Sequence, residues 1–351
     1  ALESGDFSLR SSLNGASPRY FKEFADPGAD TEAGRRGRVK NFGGESFGRM
    51  DLRRATGQSV NTIYAELNIE VGAKNSMKAA SDAGVRSTLQ PNVGNVLGTD
   101  YVTVLDMASA YATIAAEGVR ANPYIVKEIR FLDEGIEPIT VKPVTKKVFD
   151  KDLMSDVIDA MTYPVEGGSA RYVGQNLNRP AAGKTGTSES FRSAWFDGFV
   201  PQLATAVGLY RSGPDGEELK MENLPDSGDI TGGSYPTRIW TAYMKAALDG
   251  TKVERFPEPA NINKDAKYRP TRTSNPSGPT TTRAPSTTAP PSTTAPPTSA
   301  PPEPTPTPEP TPTQPTPTPE PTPSTPGNGN GGGNGNPGGG GKPAPSASPG
   351  G

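Results

Sequence analysis

Large apolar side chains stop at Tyr268. Beyond it the sequence has no Val, Ile, Leu, Met, Phe, Tyr or Trp, and 27 of its 39 prolines lie from Pro257 onward. Such sequence cannot bury enough apolar surface to offset the entropy of ordering, so it is predicted to stay extended or disordered. Thr305-Pro306-Thr307-Pro308-Glu309-Pro310, repeated at 316–321, favours polyproline II, a stiff spacer of about 3 Å per residue. The Gly/Asn run 327–341 reads as flexible. A folded domain is therefore expected over residues 1–250, with a tail over 251–351.

Two residue types are absent altogether. Without Cys there are no disulfides, thiolate nucleophiles or zinc–thiolate sites. Without His there is no Ser-His-Asp triad and no His-ligated metal. Serine chemistry on this chain would need Lys or a carboxylate as base. No metal and no cofactor is expected. A net charge of −2 over 351 residues is too balanced to suggest a nucleic-acid partner. No run approaches the roughly 20 apolar residues that span a membrane, and no signal peptide opens the sequence.

Residues 1–50 read as loops and short strands. A helix is predicted from Arg53 to about Leu67, with Ser59-Val60-Asn61 near its start. A second covers Lys74 to Ala83 and stops at Gly84. Thr103-Val104-Leu105-Asp106 has the form of a capping box and opens a helix carrying Met107, Tyr111 and Ile114 on one face, ending at Gly118. Tyr124 to Leu132 alternates as a strand would. Asp150 caps a further helix, with Pro164 beyond its end. Trp195–Val200 and Leu203–Tyr210 read as antiparallel strands joined at Pro201-Gln202, and a last helix runs from Arg238 to Leu248. Helices, then strands, then a closing helix predict an α+β fold with an antiparallel sheet covered by helices.

Chemistry concentrates at Gly183-Lys184-Thr185-Gly186-Thr187-Ser188. A Lys among small residues, with strand-forming sequence on both sides, places a cation and backbone N–H groups on a strand lip. Gly186 lets a ligand come close to the backbone there. This suits a substrate with a carboxylate and a carbonyl that becomes an oxyanion, although K-T-G-T alone is equally consistent with a polar turn. Ser59-x-Asn61 puts two hydrogen-bonding side chains close together, and it too is a common tripeptide.

In combination the motifs are specific. S-x-N followed by K-T-G-T, in sequence free of His and Cys, resembles the penicillin-binding transpeptidases. The flanks Asn41-Phe42-Gly43-Gly44, Glu166-Gly167-Gly168-Ser169-Ala170, Trp195-Phe196-Asp197-Gly198 and Gly232-Gly233-Ser234-Tyr235-Pro236 occur in the family's order. They resemble class A, bifunctional members, particularly actinobacterial ones with Thr/Pro-rich tails. The match covers roughly residues 1–250.

The resemblance implies the penicillin-binding transpeptidase and serine β-lactamase fold, and D,D-transpeptidase activity at the cell-wall side of the plasma membrane. It implies stem peptides ending in D-Ala-D-Ala and β-lactams as ligands, with cell-wall polymer a partner of the tail. Ser59 is implied to relay protons, Asn61 to bond the substrate amide, and Lys184 to supply positive potential. Thr185 and Thr187 would bind the terminal carboxylate along the strand that contains Gly186, and the Thr187 N–H would form half of an oxyanion hole. One departure matters: no Ser in the sequence has Lys three positions later, so the family's S-x-x-K nucleophile motif is not among these residues. The expectation is a longer native chain with S-x-x-K, a glycosyltransferase domain and a membrane anchor upstream, this chain alone being inactive. The sister alternatives are a D,D-carboxypeptidase or β-lactamase. A noncatalytic wall-associated muropeptide-binding or structural protein is the alternative from another class.

Overall fold

The computed structural model describes residues 1–133, 135–266 and Tyr268. The expected polyproline II and Gly/Asn segments lie outside the described residues. Among those described, no helix is long and apolar enough to cross a membrane.

Short pairings open the chain. Strand β1 (Ser12–Asn14) pairs with β4 (Arg49–Asp51), and β2 (Arg19–Tyr20) pairs with β3 (Arg38–Val39), the one-turn helix α1 (Glu32–Arg35) lying between β2 and β3 in sequence. Four helices follow: α2 (Leu52–Gly57), α3 (Asn61–Val71), α4 (Ala73–Ala83) and α5 (Val104–Ala115). Two small pairings, β5 (Val119–Ala121) with β8 (Thr145–Lys147) and β6 (Glu128–Ile129) with β7 (Ile139–Thr140), lead to α6 (Lys151–Glu166) and α7 (Arg171–Asn176). The main sheet is antiparallel, built from β9 (Ala182–Thr187), β10 (Ser193–Val200), β11 (Leu203–Ser212) and β12 (Glu218–Leu219) in spatial order β12-β11-β10-β9. Helix α8 (Tyr235–Ala247) closes the fold. This is the expected α+β arrangement.

The sheet is apolar on both faces, because β10 is buried on both. Phe196 and Val200 join Val165, Val173, Trp240 and Met244 on one side. The Phe196 and Trp240 rings meet edge to face at 5.2 Å, and the Trp240 indole N–H donates to the Thr205 carbonyl at 3.0 Å, so the largest buried side chain is also satisfied. On the other side Phe199 and Ala182 pack with Ile158 and Met161 of α6.

Several expectations need correction. The helix predicted over Arg53–Leu67 is two, broken at Ser59, whose φ of +53° is left-handed. Pro164 lies inside α6 rather than beyond it. It sits in the last turn, where the chain bends at once, with Gly168 and Ala170 N–H both donating to its carbonyl. The Tyr124–Leu132 strand shrinks to Glu128–Ile129, because Ile125, Phe131 and Leu132 remain exposed and no layer covers them. The Thr103 capping box is present, with Asp106 N–H donating to Thr103 Oγ1 at 3.1 Å.

The ordered part also runs past residue 250. Asn261 and Ile262 N–H both donate to the Asp156 carboxylate at 2.8 Å, and Asn263 Nδ2 donates to the Leu2 and Phe7 carbonyls at 2.7 and 2.9 Å. Phe256 stacks edge to face on Phe199, so the segment from Pro257 that reads as linker is docked through Asn263, and the Tyr268 ring lies 4.6 Å from that of Phe7.

Candidate active site

Strand β9 is an outer strand of the main sheet, and its residues alternate between the two faces. Its register on β10 sets Lys184 opposite Asp197 and Gly186 opposite Trp195. Lys184 reaches across to the break between α2 and α3, where its ammonium donates to Ser59 Oγ at 2.7 Å and to the Thr185 carbonyl at 2.9 Å. Residues 125 apart in sequence thus meet at one hydrogen bond. The left-handed backbone at Ser59 is what turns this hydroxyl out of the helical run, and strain of this kind collects at functional sites. Burial lowers the Lys184 pKa to about 8, so its ammonium gives up a proton far more readily than a solvated lysine.

Asn61 begins α3 and lines the same cleft, yet its Nδ2 donates to the Lys40 carbonyl at 3.0 Å. The Ser59 and Asn61 side chains therefore take separate partners here. Asn41, buried beside them, receives the Thr62 N–H on Oδ1 and donates to the Gly15 and Glu45 carbonyls, fixing the start of α3.

The hydroxyls of β9 are also engaged. Thr185 Oγ1 lies 2.6 Å from Ser169 Oγ, and Thr187 Oγ1 accepts the Gly232 N–H at 3.0 Å, which leaves the Thr187 hydroxyl hydrogen available. A Cβ at Gly186 would meet only Trp195 Cβ, at 3.4 Å. Packing within the chain does not demand glycine at that position. It does at Gly232, where a Cβ would lie 2.4 Å from the Trp195 carbonyl oxygen and 2.6 Å from that of Gly186. Ser169 and Gly232 are thus parts of the site that appear in the sequence only as flanking similarity.

Below Lys184 a cleft of about 1410 Å³ opens between the helices and the sheet, walled by Tyr64, Val71, Met107, Tyr111, Leu153 and Met161. Ser59, Lys184 and Asp197 face it. Asp197 is 4% exposed, and its Oδ1 has no hydrogen-bond partner among the described residues. Burial raises its carboxyl pKa to about 7. In the sequence Asp197 appears only within the flank Trp195-Phe196-Asp197-Gly198, and its burial follows from register.

An antiparallel sheet with helices on both sides, and a Ser-x-Asn turn bonded to the lysine of an outer-strand Lys-Thr-Gly-Thr, define a serine-transpeptidase type of domain. Residues 14–223 match the penicillin-binding protein transpeptidase domain, and the chain belongs to that family. Penicillin-binding protein 1A of Mycolicibacterium smegmatis is 35% identical over 249 residues, covering 64% of this chain and 31% of that protein. The protein of the same name from Mycobacterium tuberculosis is 32% identical over 248 residues, covering 64% and 30%. The chain spans about a third of the length of these relatives. Among solved structures, the penicillin-binding protein PonA1 from Mycobacterium tuberculosis aligns with a TM-score of 0.63 at 30% identity, covering 75% of this chain and 69% of that one. PonA1 in complex with penicillin V aligns at 0.57 and 27%.

Proposed function

We propose that this chain carries the substrate-binding wall of a peptidoglycan D,D-transpeptidase acting on the cell-wall side of the plasma membrane. Its ligands would be stem peptides ending in D-Ala-D-Ala, and β-lactams that resemble them. The observation that supports this most directly is the 2.7 Å bond from Lys184 Nζ to Ser59 Oγ. It gives a proton path from a lysine of lowered pKa through a hydroxyl to the cleft.

A terminal carboxylate fits at the lip, where the Lys184 ammonium is joined by the Thr185 and Thr187 hydroxyls. Charge-assisted bonds of this type contribute about 1.5–3 kcal/mol each. The Thr187 N–H is one oxyanion donor. Asn61 would leave Lys40 to bond the substrate amide. The acylating serine has no counterpart among residues 1–351 and would come from elsewhere, its hydroxyl entering the cleft beside Ser59. This serine would attack the penultimate D-Ala carbonyl and expel the terminal D-Ala, and an amine of a second stem peptide would then take the acyl group and free the serine hydroxyl.

The chain should therefore bind N-acyl-D-Ala-D-Ala reversibly without forming a penicillin adduct. Titration followed by amide chemical shifts should perturb Lys184, Thr185 and Thr187. Lys184→Ala should weaken binding at least roughly tenfold, about 1.4 kcal/mol. Absence of shifts at those residues would leave the noncatalytic structural reading in place. A stoichiometric penicillin adduct on Ser59, found by mass spectrometry, would make Ser59 a nucleophile and end its assignment as a relay.

A further inference from the structure

The last turn of α4 has its acceptors fully used. A helix leaves its final four carbonyls without intrahelical partners, and all four are satisfied here. The Ala80 and Ser81 carbonyls accept the Gly84 N–H, and the Ala83 carbonyl accepts the Thr113 hydroxyl at 2.6 Å. Arg120 of β5 completes the set, its Nη1 donating to the Ser81 and Asp82 carbonyls at 3.2 Å each. That clamp orients the guanidinium and leaves its Nε and Nη2 hydrogens unspent among the described residues.

Beside this helix end lies a recess of about 200 Å³, bounded by Ser81, Arg86, Ser109, Arg120 and Asn122, with no carboxylate among the described residues that line it. Ser109 is on the opposite side of α5 from Met107 and Tyr111, so the recess is separate from the cleft below Lys184. The Ser109 hydroxyl hydrogen is spent on the Leu105 carbonyl at 2.7 Å. Arg86 and Asn122 keep theirs. The Arg86 backbone is held by its N–H on the Asp106 carboxylate, while its guanidinium and the Asn122 carboxamide have no partner among the described residues. The pairing of β5 with β8 adds a third cation, because it sets Lys146 directly across from Arg120. Like charges so placed repel unless an anion lies between them.

We propose that this recess is an anion site for a phosphate group, carried by a small phosphate ester or by a phosphodiester polymer. Every backbone acceptor at the end of α4 is occupied, so the recess offers a ligand mainly donors: two guanidinium groups and an amide. A tetrahedral oxyanion meets Arg86, Arg120 and Asn122 from three directions at once, where a planar carboxylate is matched by a single guanidinium edge. The recess is larger than one such group, which leaves room for ester substituents. The site goes beyond the transpeptidase reading and shares no residue with the lip at Lys184.

The test uses the full 351-residue chain, titrated with inorganic phosphate, glycerol 3-phosphate, glycerophosphoglycerol and acetate at constant ionic strength. Amide and arginine Nε chemical shifts are followed. The phosphates should move the signals of Arg86, Arg120 and Asn122, and acetate should not. Arg86→Gln is the safe variant for folding, since only the backbone of Arg86 is bonded within the chain. It should weaken phosphate binding roughly fivefold, the upper range for an exposed charge pair. Arg86→Lys should keep part of the affinity, an ammonium replacing the planar fork. If glycerol 3-phosphate binds more tightly than the diester, a small phosphate ester is the ligand. If glycerophosphoglycerol binds at least as tightly, a phosphodiester polymer is. Acetate binding as well as phosphate, shifts undiminished in Arg86→Gln, or no shifts at these residues would overturn the site. Binding of N-acyl-D-Ala-D-Ala is read at Lys184, Thr185 and Thr187, so either reading can fail while the other stands.

Discussion

The two faces of the main sheet are finished to different degrees. On the side of α7 and α8, Phe196, Val200, Trp240 and Met244 are sealed from solvent, and the one polar atom among them, the Trp240 indole nitrogen, is bonded. On the side of α5 and α6 the same strand presents Asp197 with an oxygen unpartnered among the described residues, next to a lysine of lowered pKa, over a large cleft. Alternate residues of β10 thus serve opposite ends. One set stabilises the fold; in the other Phe199 packs on α6, and Asp197 is held in an environment that water would relieve. Buried ionisable groups are costly unless paired, and Asp197 and Lys184 both lie on the cleft side of the sheet.

The strongest way to break this contrast is through the sealed side. Trp240→Ala removes a fully buried ring and should cost about 3–5 kcal/mol, lowering the thermal midpoint by roughly 10 °C. A loss of only one or two degrees would mean that the α8 face is not the stabilising one.

Asp197 tests the other face through pH. Its carboxyl pKa is raised from 3.8 to about 7 by burial. The folded state therefore holds its proton over a range where the unfolded chain has lost it. Stability is full below about pH 4, falls as pH rises toward 7, and is level above. Asp197→Asn should remove that decline and raise stability at pH 8, by at most about 4 kcal/mol for three pKa units. Parallel melting curves from pH 4 to 8 for the two proteins would contradict the burial argument. The smallest effect belongs to Met107, which lines the cleft. With open space already beside it, Met107→Ala should cost under about 1 kcal/mol, against the usual 2–5 for a filled core. A larger drop in the denaturation midpoint would show that the α5 face is better packed than its geometry suggests.

What could be read from sequence was local or carried by motif. The Thr103–Asp106 box and the β10–β11 hairpin at Pro201-Gln202 depend on near neighbours, and both are present. Lys184 and Ser59 were legible as chemistry because their residue types stood in two recognisable motifs. Asp197 was not, since its significance arises from register with Lys184 and from helices packed later in space. The break at Ser59 was also hidden, because periodicity continued through it while the backbone changed hand. The docking of Asn261 and Ile262 depends on Asp156, more than a hundred residues away on α6, and composition from Pro257 onward pointed elsewhere.

The Asp156 clasp has a mechanical consequence. Asn261 and Ile262 hang on one carboxylate, and Asn263 is tied to the carbonyls of Leu2 and Phe7. Tension arriving along the chain from beyond Tyr268 loads the contact of its ring with Phe7, 4.6 Å between centroids, then these four bonds, and through them α6 and the opening residues. The outer strand that bears Lys184 is reached from there through the packing of Ala182 on Ile158 and Met161 of α6. A tether pulled from its far end would thus strain the clasp before it disturbed the lip where ligand is held.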